Sequence, residues 1–498
     1  MDNGRSGTRI TLAPWRTSGA VDRGIFGGFV EHLGRCIYGG IFDEGSSLSN
    51  DNGYRLDVLS LLKELRLSVL RWPGGNFVSN YHWTDGIGPA ANRPSRVELA
   101  WGALESNRFG TDEFLAFCAE LGVTPYICLN MGTGDLAEAL AWVEYCNATV
   151  HSYWADRRRA NGHEGPYGVP YWGLGNEMYG DWQVGQLSAQ EYVSTAARWA
   201  KAIRRLDPKA RLVSCGLNGW SDWDRAVIDG LVDLVDLHSL HVYTGSKDYW
   251  ENLVSPYQAE RGIACASALL GRAAYLQRAK RAPKVAFDEW NVWYRTDDGS
   301  LEERYSFTDA LAVATYLNIF IRHSHQVSMA NLAQMVNAIA PIVTTPHEAV
   351  PQPIYYPFML HSVSHLDHAI DVSIEGEQFD APAEPAGRWG HRLSDLGPFP
   401  FVDAAATTDS ARGRITVTLV NRRPDRSEDV ELRLTDLAFS DVNRARALTE
   451  ETDHSKWPMP DVAGVRLEDC DVPAKGSVAH VQLPPKSFAV IEASMASD

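Results

Sequence analysis

The sequence predicts a (β/α)8 barrel followed by a smaller antiparallel β-sandwich. Three observations carry that expectation. Between about residue 22 and 360, eight short apolar runs alternate with helical stretches, the βα count of a closed barrel. After about residue 365 the texture changes to strands with period-two alternation, as in antiparallel sheets. A chain of 498 residues is also too long for one ordinary core, so two domains are expected.

The eight runs are Ile25–Leu33, Val69–Gly75, Thr124–Met131, Tyr171–Glu177, Leu212–Asn218, Leu234–Tyr243, Lys284–Trp293 and Gln326–Val336. Between them, Asn52–Leu67 sets Leu56, Leu59, Leu62 and Leu65 on one helical stripe. Thr111 is placed to cap a helix that stops at Gly122, and Ser188–Leu206 is a further helix ending before Asp207-Pro208. The connections 76–110 and 147–170 are long and follow strands, where barrel enzymes build their sites. Sandwich strands are expected at Arg414–Val420, Asp429–Leu434 and Ser487–Ile491, with Arg9–Leu12 joining them from the N-terminus. The expected division is 1–20 for that N-terminal strand, 21–365 for the barrel and 366–498 for the sandwich. Residues 374–400, rich in Gly, Pro and acidic side chains, read as a loop or linker.

Composition excludes several classes. Hydrophobic residues make up 45% and charged residues 22%, as in a soluble globular protein. A net charge of −17 argues against nucleic acid or an anionic membrane as partner. Seven scattered cysteines with no CxxC indicate neither a zinc ribbon nor a disulfide framework, so reduced thiols in the cytoplasm are expected. The N-terminal residues lack an apolar signal core, and no run is long enough to span a membrane. No P-loop or GxGxxG opening a helix is present, and neither a cofactor nor a metal is expected.

The chemistry rests on two carboxylates. Glu177 ends Tyr171-Trp-Gly-Leu-Gly-Asn-Glu177, and Glu289 lies in Val285-Ala-Phe-Asp-Glu289-Trp-Asn-Val-Trp293. Side chains at the carboxyl ends of barrel strands converge on one mouth, and two carboxyls flanking one acetal are the apparatus of glycoside hydrolysis. One such strand end alone is more readily a capped, solvated turn; two of them, ringed by Trp and Asn, reverse that balance and favour a site.

Strand alternation places Gly173, Gly175 and Glu177 on one face, with the glycines leaving space for a ligand, and turns Asn176 away unless the strand end is bulged. It likewise groups Glu289, Asn291 and Trp293, with Asp288 and Trp290 opposite, so Glu289 is assigned to the mouth. His238 and His241, three apart in a strand, face opposite ways and cannot share an ion, whereas His241 and Tyr243 share a face. A tyrosine hydroxyl there would hold a nucleophilic carboxylate ionised; a packed core Tyr is the plain alternative. Pro73-Gly-Gly forces a turn that brings Asn76 to the mouth, and Glu31 is a third strand-end carboxylate that sugar hydroxyls would satisfy. Trp101 suits stacking on a sugar face.

These motifs are familiar together. Phe26-Gly-Gly-Phe-Val-Glu31-His-Leu-Gly, Arg71-Trp-Pro-Gly-Gly-Asn76-Phe, Trp101 followed by Glu105-Ser-Asn-Arg-Phe-Gly110, Trp172-Gly-Leu-Gly-Asn-Glu177-Met-Tyr-Gly-Asp-Trp182 and Asp288-Glu-Trp-Asn-Val-Trp293 resemble glycoside hydrolase family 51. Typical members are retaining, exo-acting α-L-arabinofuranosidases, and the resemblance runs from about residue 10 to Phe488. It implies Glu177 as general acid/base and Glu289 as nucleophile. Glu31, Asn76, Asn176, Tyr243 and Gln352 are similar to the residues that hold the furanose and support the nucleophile. Trp101 and Trp293 look like subsite aromatics and Arg71 like a supporting arginine, with His241 beside it. The resemblance further implies a (β/α)8 barrel with a jelly-roll-like sandwich, an arabinose-containing oligosaccharide or polysaccharide substrate, no cofactor, and a homo-oligomer, commonly a hexamer. Two features depart from it: Pro353 directly after Gln352, and residues 374–400, which match nothing in the pattern.

Two rival readings remain open on the residues alone. Another retaining barrel glycosidase, such as a β-xylosidase or β-glucanase, would use the same glutamates. A carbohydrate-binding protein on an inactive barrel would bind arabinose without turnover, which the intact carboxylate pair disfavours.

Overall fold

The computed structural model describes residues 7–295, 299, 301–381, 392–451 and 462–496. All eight expected runs form strands: β2 (Gly27–Phe29), β3 (Val69–Trp72), β4 (Thr124–Leu129), β5 (Tyr171–Leu174), β6 (Arg211–Ser214), β7 (Leu237–Thr244), β8 (Lys284–Val292) and β9 (Val327–Ala333). Each pairs in parallel with its chain neighbours, and β9 pairs with β2 to close the barrel. Inside lie Val69, Tyr126, Val213, Leu237, Ala286 and Met329, a plug of buried side chains rather than a pore. The outward strand faces pack under helices in a continuous apolar cluster, which explains why the runs carry little polar alternation.

The helices begin and end for local reasons. Helix α1 (Leu56–Glu64) buries Val58, Leu59 and Leu62, while Leu56 is exposed, so the expected stripe is shifted and the helix is shorter than 52–67. Helix α2 (Thr111–Leu121) is capped at Gly110 rather than Thr111: the Glu113 carboxylate receives the Gly110 amide, and Thr111 is helical, its hydroxyl accepting from Trp142. Gly122, at φ 74°, ends it in the left-handed region that favours glycine. Helix α3 (Ala189–Leu206) starts at the Ser188 cap, closed by a reciprocal Glu191 bond. Helix α4 (Tyr257–Gln277) and helix α5 (Phe307–Arg322) follow, the latter sandwiched between barrel and C-terminal sheet and buried nearly throughout.

Ten strands build the second unit: β1 (Thr8–Ala20), β10 (His368–Glu375), β11 (Val402–Thr408), β12 (Arg414–Asn421), β13 (Glu428–Leu434), β14 (Ala438–Glu451), β15 (Gly464–Asp469), β16 (Ala474–Lys475), β17 (Val478–Leu483) and β18 (Ser487–Ala496). Their order is β15-β14-β18-β12-β11-β10-β1-β13-β17-β16, antiparallel except where β1 runs parallel to β13. The inward residues of both halves, among them Ile10, Leu12, Val417, Leu432, Val481 and Ile491, share one core. The stretch 374–400 is not wholly loop: it completes β10, and Gln378–Phe379 pairs with Phe399–Pro400; residues 382–391 lie outside the described residues.

Barrel and sheet meet around a buried carboxylate. Asp403 on β11 accepts from Asn318 Nδ2 at 2.8 Å, Tyr257 hydroxyl at 2.9 Å and Arg322 Nη1 at 3.1 Å, with Arg422 3.6 Å away. A charge removed from water in this way needs these cations close by.

Candidate active site

Strand ends at the carboxyl mouth deliver the two glutamates to one place. Strand β5 stops at Leu174, and Gly175 (φ 77°) and Glu177 (φ 44°) both take left-handed backbone. That turn ends the strict alternation, so Asn176 and Glu177 both reach the mouth. Gly173 and Gly175 do not leave room for a ligand: a Cβ at Gly173 would lie 2.9 Å from the Tyr126 hydroxyl, and one at Gly175 3.0 Å from Met178. Gly75 does border the site, since a Cβ there would sit 3.1 Å from Glu289 Oε1 and 3.4 Å from both Asn176 Nδ2 and Glu31 Oε2.

Strand β8 is irregular in the same region. Its register against β7 slips between Ala286 and Glu289, and against β9 between Phe287 and Trp290. The slip overturns the simple face assignment: Asp288 and Glu289 both join the polar network. Asp288 accepts from the Tyr126 hydroxyl at 2.8 Å and from Ser239, while Asn291 turns away and donates to Ala333 and Ile339 carbonyls.

Arg71 ties the network together. Its Nη1 donates to Glu289 Oε1 at 2.7 Å and its Nη2 to Asn176 Oδ1 at 2.6 Å, and the guanidinium lies 4.5 Å over the Phe29 ring. The Tyr243 hydroxyl donates to Glu289 Oε2 at 2.9 Å. His241 stands between the two glutamates, Nδ1 3.0 Å from Glu177 Oε1 and 3.5 Å from Glu289 Oε2, with Nε2 3.3 Å from Asp288. His238 faces away, held by Ser214 and Asp224.

The charges set the resting protonation. Burial disfavours the imidazolium, but the Glu289 charge and the Asp288 and Glu177 bonds outweigh it and raise His241 to about 10. Burial likewise works against the Glu177 carboxylate, yet the His241 bond and charge hold it below its ordinary value. Glu289 moves the other way: burial, with the Glu177 and Asp288 charges, outweighs His241 and Arg71 and raises it. Glu31 is pushed up to about 7 by burial and the Glu289 charge.

Around this centre lies a cleft of about 1110 Å³ lined by Asn76, Glu177, His241, Tyr243, Trp101 and Trp293 among others. Trp101 Nε1 donates to Glu31 Oε1 at 3.1 Å, and Trp293 stands edge-on to Tyr243 at 5.2 Å. Asn76 Oδ1 and Asn176 Nδ2 are buried without a hydrogen-bond partner, which suits them to sugar hydroxyls. Gln352 is not brought to the mouth. It is fully buried, its amide spent on the Glu303 and Ala340 carbonyls and the Tyr305 amide.

Sequence reasoning missed three contributors. Gln334 donates to Glu31 Oε2 at 2.9 Å from the end of β9, a strand-end position that itself signalled the mouth. Trp182 donates to Glu177 Oε2 at 3.1 Å from within the motif already singled out. Asp288 was set aside because the slip in β8 leaves no mark in the sequence.

Among the described residues one trio of metal-ligand type is present: Glu177, His241 and Glu289 each offer an atom, all within 4.8 Å of one another. The Arg71 cation 2.7 Å from Glu289 and the His241 bond to Glu177 already satisfy these atoms, so the trio reads as a proton-handling cluster. All seven cysteines are unpaired, and no helix of the described residues is long and apolar enough to cross a membrane.

Comparison with known proteins shows the family. Residues 61–261 match the family model of the α-L-arabinofuranosidase 1 domain, and residues 288–487 that of the α-L-arabinofuranosidase C-terminal domain. α-L-Arabinofuranosidase C of Emericella nidulans is 43% identical, over 85% of this chain and 86% of that protein. The Bacillus subtilis intracellular exo-α-(1→5)-L-arabinofuranosidase 1 is 38% identical, over 83% and 85%. The crystal structure of the Thermotoga maritima α-L-arabinofuranosidase in complex with arabinose superposes with a TM-score of 0.89 at 38% identity, covering 98% of this chain and all of that one. A bifunctional glucanase-xylanase from a metagenome library, at 12% identity and TM-score 0.61, shares the fold alone.

Proposed function

The chain belongs to the family 51 α-L-arabinofuranosidases, and from that premise we propose that it releases terminal non-reducing α-L-arabinofuranosyl residues with retention, by double displacement between Glu289 and Glu177. The single observation that carries the mechanism is the spacing of the pair: both glutamates reach one imidazole, and carboxylate oxygens of the two approach within 4.8 Å. An approach this close supports retention, for which the carboxyls stand about 5–5.5 Å apart, over inversion, which needs 6.5 Å or more.

Glu289, ionised against Arg71 and Tyr243, attacks the anomeric carbon as the bond to the leaving oxygen breaks. Glu177 donates the proton that oxygen needs. In the free site this proton rests on His241 Nδ1, 3.0 Å from Glu177 Oε1, a distance over which it passes to Glu177 as the leaving oxygen arrives. Water then attacks the glycosyl-enzyme with Glu177 as base, and the proton returns. Glu31, Asn76 and Asn176 hold the furanose hydroxyls, Gly75 keeps the floor clear, and Trp101 and Trp293 wall the sugar.

The Bacillus subtilis relative is named an intracellular exo-α-(1→5)-L-arabinofuranosidase, which supports an exo-acting role inside the cell. The unpaired cysteines fit the reducing cytoplasm that we infer. A homo-oligomer, hexameric by family resemblance, completes the reading, and sedimentation of the purified protein tests it. We propose the division 1–20 with the sheet, 21–365 as barrel and 366–498 as sheet domain, which the strand order supports.

Hydrolysis of p-nitrophenyl α-L-arabinofuranoside in methanol–water, followed by NMR, tests the proposal. Methyl α-L-arabinofuranoside is the expected first transfer product. A β product would show inversion and overturn the mechanism.

A further inference from the structure

The cleft is larger than its chemistry requires. Its volume of about 1110 Å³ exceeds the ~300–1,000 Å³ of sites for drug-sized ligands, so it accommodates several sugars beyond the one cleaved. Its two ends differ in charge. At the inner end stand Glu31, Glu177, Asp288 and Glu289 against Arg71 and His241. The outer wall instead carries Arg261, Arg295 and Arg392.

Arg392 comes from the stretch 374–400 that matched none of the family motifs. Leu393 and Phe399 anchor that segment against Val254 in a small apolar cluster. Gln258 Nε2 donates to the Arg392 carbonyl at 2.6 Å, and Arg261 Nη1 donates to the same oxygen at 3.1 Å. The backbone of Arg392 is therefore seated on the first turn of α4. Its side chain is 74% exposed. Arg261 and Arg392 share one carboxylate, Asp395, so the pair keeps one positive charge in excess. Arg295, which also lines the cleft, lies 5.0 Å over the Trp293 ring. On a protein of net charge −17, this is a local reversal of sign inside the substrate cleft.

We propose that this outer wall is an acceptor subsite for a carboxylate-bearing sugar, with Arg392 and Arg261 recognising a hexuronic acid in the leaving group. The proposal rests on the arabinofuranosidase reading and adds to it which glycans the cleft prefers. Asp395 occupies the Nε–Nη2 edge of Arg392, which leaves its Nη1 and the surplus charge of the pair for a sugar carboxylate, and the leaving group of this reaction is itself a sugar chain. The preferred substrates are then arabinofuranosyl oligosaccharides that also carry a uronic acid, rather than purely neutral ones. The partial exposure of the wall makes the effect sensitive to salt.

The test compares kcat/KM of the full-length enzyme on uronate-bearing arabinofuranosyl oligosaccharides and on their carboxyl-reduced counterparts, which keep shape and lose charge. One pair carries glucuronate on a xylose backbone and the other galacturonate on its backbone, which separates the two sources of the same carboxylate. At low ionic strength the charged member of at least one pair is expected to be favoured about five-fold, falling toward parity near ~0.5 M salt. Arg392→Ala is expected to abolish the ratio and Arg392→Glu to invert it, with the unfolding midpoint measured alongside. Equal rates on charged and reduced substrates, or a preference that survives both Arg392 substitutions, would overturn the subsite while leaving the arabinofuranosidase intact. Failure to cleave any of the four would instead strike the underlying reading.

Discussion

Arg71 shows how much one side chain settles. It is 1% exposed, and its cationic fork fixes both Glu289, the proposed nucleophile, and Asn176, the proposed hydroxyl ligand. Removing one partner of a buried ion pair leaves the other charge uncompensated, a cost of about 3–5 kcal/mol. Arg71→Met is therefore expected to lower kcat by at least two orders of magnitude while the folded barrel persists, as checked by steady-state kinetics and circular dichroism. His241 makes a separate, pH-dependent prediction. Its proton, held to about 10, keeps the acid supplied as pH rises through neutrality. In His241→Asn that proton must sit on Glu177 alone, so the alkaline limb of kcat/KM should move to lower pH by a unit or more. A limb that stays in place would show that His241 does not store the proton.

At the scale of elements, the ends of β5 and β8 carry the site, and both depart from regular strand geometry. Gly175 at φ 77° lets the chain turn between Leu174 and Glu177. Alanine there is strained by about 1–3 kcal/mol and meets Met178 and Met131. Gly175→Ala should thus lower both the urea midpoint and kcat; unchanged values would mean that the turn is not required. These two strand ends also mark where the sequence stopped being legible. The apolar runs announced all eight barrel strands, because each is buried on both faces. The glutamates were legible because they end those runs. The neighbours were not: period-two counting turned Asn176 and Asp288 away from the mouth, and a left-handed turn and a register slip brought them back. Gln352 failed for the opposite reason. Its place in a recognised motif points to a ligand, whereas backbone groups of Glu303, Tyr305 and Ala340 consume its amide.

At the scale of the whole molecule, the C-terminal sheet closes over helix α5 and the barrel through Asp403, whose partners come from α4, α5 and the sheet. Asp403→Ala is expected to destabilise the protein by about 3–5 kcal/mol by stranding Arg322 and Arg422, lowering the denaturation midpoint; an unchanged midpoint would show the two units to be energetically independent. Closure of the barrel is also what carries Glu177 and Glu289, 112 residues apart in the chain, to one mouth, where the proposed mechanism sets them on opposite sides of one acetal. Azide rescue of the two alanine variants tests that arrangement most directly. With Glu177→Ala, azide should intercept the glycosyl-enzyme and give the retained α-L-arabinofuranosyl azide. With Glu289→Ala, azide should replace the nucleophile and give the inverted β-azide. The same anomer from both variants, or near-normal turnover of an unactivated oligosaccharide by either, would contradict the assignment.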